Sequence, residues 1–342
     1  MQTRTLGKSG IKVSPMGMGC WAIGGPFLHT DGSVLGYGHV RDEDSIQAIQ
    51  KGLDMGITLF DTSDAYCCGR SERVLGKALK GRREEVIIAT KFGWNWDMQS
   101  GNPSFPCRLA KEGSLTPEFI RESCKGSLER LQTDYIDLYL LHINRMDPEK
   151  APEVMETLEE LAEGGKIRYY GWSTDDPDRA KILAKGIHCA IVEFRHNFTS
   201  HNNRMIKEVM NDFNIAGLIH GPLGYGIFTG KYKDDSELPK DHMWHGTKFG
   251  EGRAAEIRAV LEEMCGILTS DGRTLAQAAL GWIWAQHHQL VPIPGFKNVK
   301  QVEENAGAME FGPLSKKQVE QVKKILSKIE TPPGWVVRKT QE

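Results

Sequence analysis

Four ionisable side chains stand at equivalent places in the chain, each at or just after the end of a short apolar, β-prone run. Ile57 to Phe60 leads into Asp61, with Tyr66 five residues further on; Val86 to Thr90 leads into Lys91; Tyr135 to Leu141 leads into His142. A lysine that loses its water needs a carboxylate to stay charged, and Asp61 supplies one. A cation held beside a phenol favours the phenolate and draws its pKa from about 10 toward neutrality. On that reading Tyr66 is a general acid, and His142 donates or orients a second hydrogen bond to the oxygen that gains charge. This is the chemistry of carbonyl reduction. Any one of these residues alone reads as a cap or half of an ion pair; four on consecutive strands or their loops read as a site.

Positioning four such groups together requires strands that end on one rim. Apolar runs at 16–21, 57–60, 86–90, 135–141, 167–172, 189–193, 215–219 and 290–293 alternate with helical patterns at 42–55, 74–79, 116–131, 150–163, 177–185, 202–212, 272–287 and 298–308. Eight strand-helix repeats favour the α/β class and a (β/α)8 TIM barrel, whose active site lies at the C-terminal rim. An open doubly wound sheet would want a Gly-x-Gly-x-x-Gly turn after an early strand, and none is present. Asp42 or Asp44 is expected to cap the first helix. A short hairpin over 2–14 precedes the barrel, long loops at 22–40 and 92–114 reach over the rim, and 233–268 reads as an irregular insertion followed by an extra helix. The tail from about 330 should be loosely held unless it covers the barrel mouth. All of this fits one domain, 1–342.

Composition narrows the setting. Forty-three Lys and Arg against 45 Asp and Glu leave a net charge of −2, which points to neither nucleic acid nor an anionic membrane. Seven cysteines are an odd number, and the adjacent Cys67 and Cys68 are poorly placed for a disulfide, so a reducing, cytoplasmic setting is expected. No apolar run has the length of a signal peptide core or a membrane span. His287-His288 and His242-x-x-His245 lack a third ligand at a metal spacing, so no metal is expected.

Several spaced segments carry a resemblance. They are Phe60-Asp61-Thr62 through Tyr66, the run Gly69 to Gly76, Thr90-Lys91, Leu141-His142, Gly165 to Arg168, Pro222-Leu223-Gly224, Gly230-Lys231-Tyr232, Ile293-Pro294-Gly295 and Glu303-Glu304-Asn305. In this order the chain resembles the aldo-keto reductase superfamily over nearly its whole length. The resemblance implies a TIM barrel that binds NADPH, less often NADH, across the rim and transfers hydride between nicotinamide and an aldehyde or ketone. It maps a catalytic tetrad onto Asp61, Tyr66, Lys91 and His142.

It also implies a cofactor site. Gly19, Cys20, Trp21 and Asp61 are placed at the first strand ends, and Ser173, Thr174, Glu193 and His220 around the nicotinamide. Gly221, Pro222, Leu223, Gly224, Gly226, Gly230 and Lys231 resemble the loop that clasps the pyrophosphate, where glycines let backbone N–H groups face an anion. Gly295 follows, Lys297 resembles the 2′-phosphate contact at a helix start, and Gln301, Glu304 and Asn305 match the adenosine end. Lys297 favours NADP, while Asn298, where many members carry a second cation, keeps NAD open.

Three positions depart from the commoner pattern: Thr174 replaces Asn, Glu193 replaces the Gln that grips the carboxamide, and His220 replaces the stacking aromatic. An ionised Glu193 accepts from the carboxamide N–H₂ but donates nothing to its oxygen. Glu193, Arg195, His196 and His220 together raise a second reading, an internal-redox epimerase or dehydratase with tightly held cofactor. A third is a cofactor-binding module like potassium-channel β-subunits. The substrate is a small carbonyl or alcohol. Trp21, Tyr66, Trp94, Trp96 and His142 are its expected contacts. The mix of Trp94, Asn95, Trp96, Asp97 and Phe105 with Phe27, His29 and Tyr37 suits a polar or sugar-like molecule.

Overall fold

A computed structural model describes residues 3–98 and 104–328; Gln2, part of the 92–114 loop and the expected tail lie outside that range. Eight parallel strands follow one another in chain order: β1 Gly17–Gly19, β2 Leu59–Asp61, β3 Ile87–Phe92, β4 Ile136–Leu141, β5 Ile167–Ser173, β6 Cys189–Arg195, β7 Ala216–His220 and β8 Leu290–Pro292. The ring closes where Gly19 N–H donates to the Pro294 carbonyl at 3.0 Å and Gly19 bridges Gly295 in parallel. A Cβ at Gly19 would sit 2.6 Å from the Ile293 carbonyl oxygen, so this seam admits only glycine.

Helices return the chain outside the ring: α1 Asp42–Asp54, α2 Arg70–Ala78, α3 Pro117–Leu131, α4 Ala151–Glu163, α5 Pro177–Ala184, a π-type segment Met205–Asn211, then α6 Gly252–Leu268, α7 Leu275–Trp284 and α8 Val299–Phe311. Local chemistry sets their starts. Thr116 accepts from Phe119 N–H with Pro117 at the first position of α3, and Thr274 forms a reciprocal capping box with Gln277 on α7. The expected cap of α1 is corrected. Arg41 holds the cap position without a side-chain bond, and Asp42, Glu43 and Asp44 lie inside the first turn, where their charge complements the positive end of the helix dipole.

The two-residue period of the strands sorts side chains between two cores. Leu59, Ala89, Leu138, Leu140, Ile191 and Leu218 fill the barrel, while Phe60, Ile88, Tyr139 and Leu141 face the helices. The N-terminal hairpin, Arg4–Thr5 with Lys12–Val13, plugs the interior from below with Leu6, Ile11 and Val13.

Three features go beyond the sequence reading. The loops at 22–40 and 92–114 contain hairpins, Phe27–Leu28 with Val34–Leu35 and Trp94–Asp97 with Arg108–Glu112, which join through Leu28 and Arg108 into a four-stranded sheet over the rim. Phe27, Cys107 and Leu109 are buried in a satellite core under it, which holds the sheet down. A ninth helix, α9 Lys316–Leu326, starts at the Ser315–Gln318 capping box and buries Val322, Ile325 and Leu326 with Ile257, Leu261 and Met264 of α6. The insertion after β7 crosses the rim: Met243 N–H donates to the Gly36 carbonyl, and Gly38 N–H to that of Asp241.

Candidate active site

Along β2, β3, β4, β6 and β7 the interior positions are apolar until the last one, at or just past the strand end, which is polar. Continuing the parity of Leu59, Ala89, Leu140, Ile191 and Leu218 gives Asp61, Lys91, His142, Glu193 and His220, with Ser173 on β5. The same alternation that packs the barrel therefore aims these groups at one rim.

Lys91 is the buried centre. Its Nζ donates to Asp61 Oδ1 at 2.6 Å, to the Thr62 carbonyl at 3.0 Å and to Tyr66 Oη at 3.2 Å, while Glu193 Oε2 lies a further 3.2 Å from it. Three N–H bonds exhaust an ammonium. Glu193 Oε2 accordingly has no hydrogen bond, although it is buried; Glu193 Oε1 accepts from Ser173 Oγ at 3.3 Å. The run Gly69 to Gly76 supports this floor from α2: Glu72 accepts from Thr90 Oγ1 and Arg130 Nε, each at 2.6 Å, and Ser71 Oγ donates to the Cys20 carbonyl. After Tyr66 the chain doubles back through Cys67, Cys68 and Gly69, all at positive φ.

Burial would lower the Lys91 pKa, but Asp61, Glu193 and Tyr66 outweigh it and hold the ammonium firmly charged. The expected drop in the Tyr66 pKa is corrected: burial raises it first, Lys91 pulls it down, and Asp61 and Glu193 push it up again, so the phenol keeps its proton well above pH 10. The lysine cannot act as a lone cation when two carboxylates share it. Burial, with Lys91 and His220 nearby, presses His142 far below its ordinary range, so the imidazole is neutral. Its Nδ1 meets Ser63 Oγ at 3.1 Å. Burial first, then Asp61, raise Glu193 to about 7 against the pull of Lys91 and His220.

Above this floor is a cavity of about 890 Å³. It brings together most of the residues expected from the sequence. Its lining includes Trp21, Asp61, Tyr66, Trp94 and His142 with Ser173, Glu193 and His220; Gly19, Gly221, Pro222, Leu223, Gly226 and Lys231; and Gly295, Lys297, Gln301, Glu304 and Asn305. Gly221, Gly224, Tyr225, Gly226 and Gly230 all have positive φ, which turns this backbone into a curl of the kind that presents N–H groups to anions. Lys231 and Lys297 share the cavity, and burial plus their mutual repulsion lowers the Lys231 pKa. Two crowded cations beside such a curl fit a polyphosphate.

Five expected contacts sit elsewhere. Cys20 is fully buried with its thiol turned toward the Met18 carbonyl. Thr174 is buried and its Oγ1 donates to Asn144 Oδ1 at 2.8 Å, so it anchors Asn144. Gly224 packs under Phe228, and Gly230 closes the turn that follows. Trp96 lies with the Arg130 guanidinium 5.8 Å from its ring centre, away from the cavity, while Trp94 faces it beside His29. Asn298, the alternative cation position, caps α8 by accepting from Gln301 N–H at 3.0 Å. The grouping of Glu193, Arg195, His196 and His220 also divides: His196 is buried behind the wall, stacked on Trp282 at 5.2 Å, whereas His220 Nε2 faces Asp175 Oδ1 at 3.8 Å.

Spacing gave no hint of the insertion residues Glu237, Leu238, Pro239 and His242, or of Tyr225, all of which line the cavity. Their positions depend on the crossing of the rim by the insertion, which only the tertiary structure reveals. Among the described residues, no group of three or more His, Cys, Asp or Glu is arranged for a metal, and no helix is long and apolar enough to cross a membrane.

The sequence model of the Aldo/keto reductase family matches residues 15–327. Probable aldo-keto reductase 1 of Glycine max is 31% identical over 326 residues, covering 94% of this chain and 88% of that protein. Aldo-keto reductase yakc [NADP(+)] of Schizosaccharomyces pombe is 30% identical over 345 residues, covering 97% of this chain and 95% of its own. The solved glycerol dehydrogenase of Gluconobacter oxydans superposes with a TM-score of 0.81 at 25% identity, covering 98% of both chains. With a barrel of this topology and matches over nearly its full length, the chain belongs to the aldo/keto reductase family, and it is an oxidoreductase.

Proposed function

We propose that this protein transfers hydride between NADP and a small polar carbonyl or its alcohol, with Tyr66 as the proton donor and acceptor. The observation that carries the reading is Lys91, which donates to both Asp61 and Tyr66 on the floor of a cavity that His142 also lines. Bound nicotinamide supplies the hydride; the chain supplies placement and the proton. Lys231, Lys297 and the backbone curl from Gly221 to Gly230 would hold the phosphates, with Lys297 favouring NADP over NAD. The substrate oxygen accepts from Tyr66 and from His142, whose neutral ring can carry its proton on Nε2 while Nδ1 engages Ser63. A phenol with a raised pKa keeps its proton until the oxygen beside it gains alkoxide character, then gives it up without a free anion in the site. In the oxidative direction the same phenol oxygen receives the proton.

Trp21, His29, Tyr37 and Trp94 mix ring faces with polar edges in the cavity, which supports a polyhydroxylated or sugar-like substrate. Likeness to a glycerol dehydrogenase supports the same class. The test is a titration of the purified protein with NADPH and NADH, followed by turnover on a panel of short aldehydes, ketones, polyols and sugars. Preferential NADPH binding with saturable turnover of the polar members is expected. Tight nucleotide binding with negligible turnover of every member would turn the reading toward a binding module.

A further inference from the structure

The lone buried oxygen of Glu193 is the feature that the proposed chemistry leaves unused. Asp61, Lys91 and Glu193 put two carboxylates on one ammonium at the cavity floor, and the ammonium spends all three hydrogens elsewhere. Tyr66 Oη and Glu193 Oε2 each lie 3.2 Å from the same Nζ. A carbonyl carbon bonded through its oxygen to Tyr66 needs the hydride donor at about 3–3.5 Å, in near-attack contact. On the cofactor reading the nicotinamide ring would lie against the wall that Ser173, Glu193 and His220 form beside Tyr66.

Resting on the cofactor reading above, we propose that Glu193 makes the site sense the charge of the nicotinamide. The oxidised ring carries a positive charge and would give a second counter-ion to a carboxylate that now shares Lys91 with Asp61. The reduced ring is neutral and gives none. NADP⁺ thus binds best to ionised Glu193 and expels a proton when Glu193 holds one, whereas NADPH binds without that release. Burial and Asp61 hold the empty site's Glu193 at about 7, so proton release falls in an accessible range. Other groups facing Glu193 are Asp61 from β2, Tyr66 from the following loop, Lys91 from β3, His142 after β4 and His220 from β7, with Asp175 behind His220.

Linkage sets the sign. Above pH 7 Glu193 is already ionised, and NADP⁺ affinity is at its maximum. Below it, binding must displace a proton, so the Kd for NADP⁺ rises toward about tenfold per pH unit until the complex itself takes up the proton. The 2′-phosphate titrates in the same range, with a pKa of about 6, but it is common to both forms and cancels in their ratio.

The experiment is calorimetric titration of nucleotide-free protein with NADP⁺ and with NADPH at pH 5.5, 6.5, 7.5 and 8.5, for wild type, Glu193→Gln and Glu193→Asp. In wild type the preference for NADP⁺ over NADPH should fall by about tenfold or more from pH 7.5 to 5.5. Glu193→Gln should abolish that slope, and Glu193→Asp, which keeps a carboxylate, should retain it. A slope that survives in Glu193→Gln, or no slope in wild type, overturns the inference while leaving the cofactor reading intact. Failure of both nucleotides to bind wild type overturns that reading and the inference with it.

Discussion

Glu193→Gln should make the empty protein more stable at neutral pH, although it removes a carboxylate 3.2 Å from a lysine. The amide keeps the shape of the side chain and mimics the protonated acid. Folding raises the Glu193 pKa from 4.5 to about 7, because burial and Asp61 oppose its ionisation more strongly than Lys91 and His220 favour it. At pH below 4.5 the acid is protonated in both states, and the residue costs nothing through ionisation. Between 4.5 and 7 the unfolded chain ionises while the folded one holds its proton, so stability falls as pH rises. Above 7 the loss is complete, at about 3 kcal/mol from 1.36 kcal/mol per pKa unit. The variant escapes this loss. Equilibrium urea unfolding of wild type and variant from pH 4.5 to 8.5 should give curves that coincide at the acid end and separate toward neutrality. The variant should lead by about 3 kcal/mol at pH 8, several degrees in Tm. A variant less stable than wild type at pH 8 would instead mean that the Lys91–Glu193 pair repays the desolvation of its carboxylate.

Three further outcomes follow from the geometry. Lys297→Ala should raise the Kd for NADPH by about 10-fold to 100-fold, the worth of a charge-assisted hydrogen bond, and leave NADH binding nearly unchanged; equal losses for both would move the 2′-phosphate elsewhere. Trp94→Ala should raise KM for the substrate because Trp94 faces the cavity, whereas Trp96→Ala should lower stability through its lost contact with Arg130 and spare KM; steady-state kinetics beside thermal melts separate the two. Gly19→Ala should destabilise the fold by about 1–3 kcal/mol or prevent it from closing, since the new methyl meets the Ile293 carbonyl at 2.6 Å and neither side is a movable side chain. Unchanged unfolding would show that the seam between β1 and the segment after β8 yields.

The barrel was legible because most of its strands state their own ending. Leu59 then Asp61, Ala89 then Lys91 and Leu140 then His142 switch from apolar to polar on the interior parity, and that change is written in one dimension. The rim sheet was less legible, since Phe27, Trp94 and Leu109 join across separate segments of the chain and their alternation is broken by glycines and turns. Helix α9 carries an apolar stripe at Val319, Val322 and Leu326 and a capping box, so its signal was present in the sequence. The Tyr66 pKa is the instructive miss. Reasoning from Lys91 alone predicts a fall, and the structure reverses the sign because burial of the phenol outweighs Lys91, with Asp61 and then Glu193, more than 100 residues further along the chain, adding to the rise. Spacing along the chain does not show how completely a phenol is taken out of water.

In the proposed reaction Tyr66 moves the proton while the rest of the site binds and positions. Its most direct test is Tyr66→Phe, assayed by single-turnover decay of NADPH absorbance with a reducible substrate and by NADPH titration of the same preparation. A loss in rate of about 10²- to 10⁴-fold with nucleotide affinity kept is expected. A rate within a few-fold of wild type, with NADPH still bound, would contradict it and pass the proton to another group on this floor.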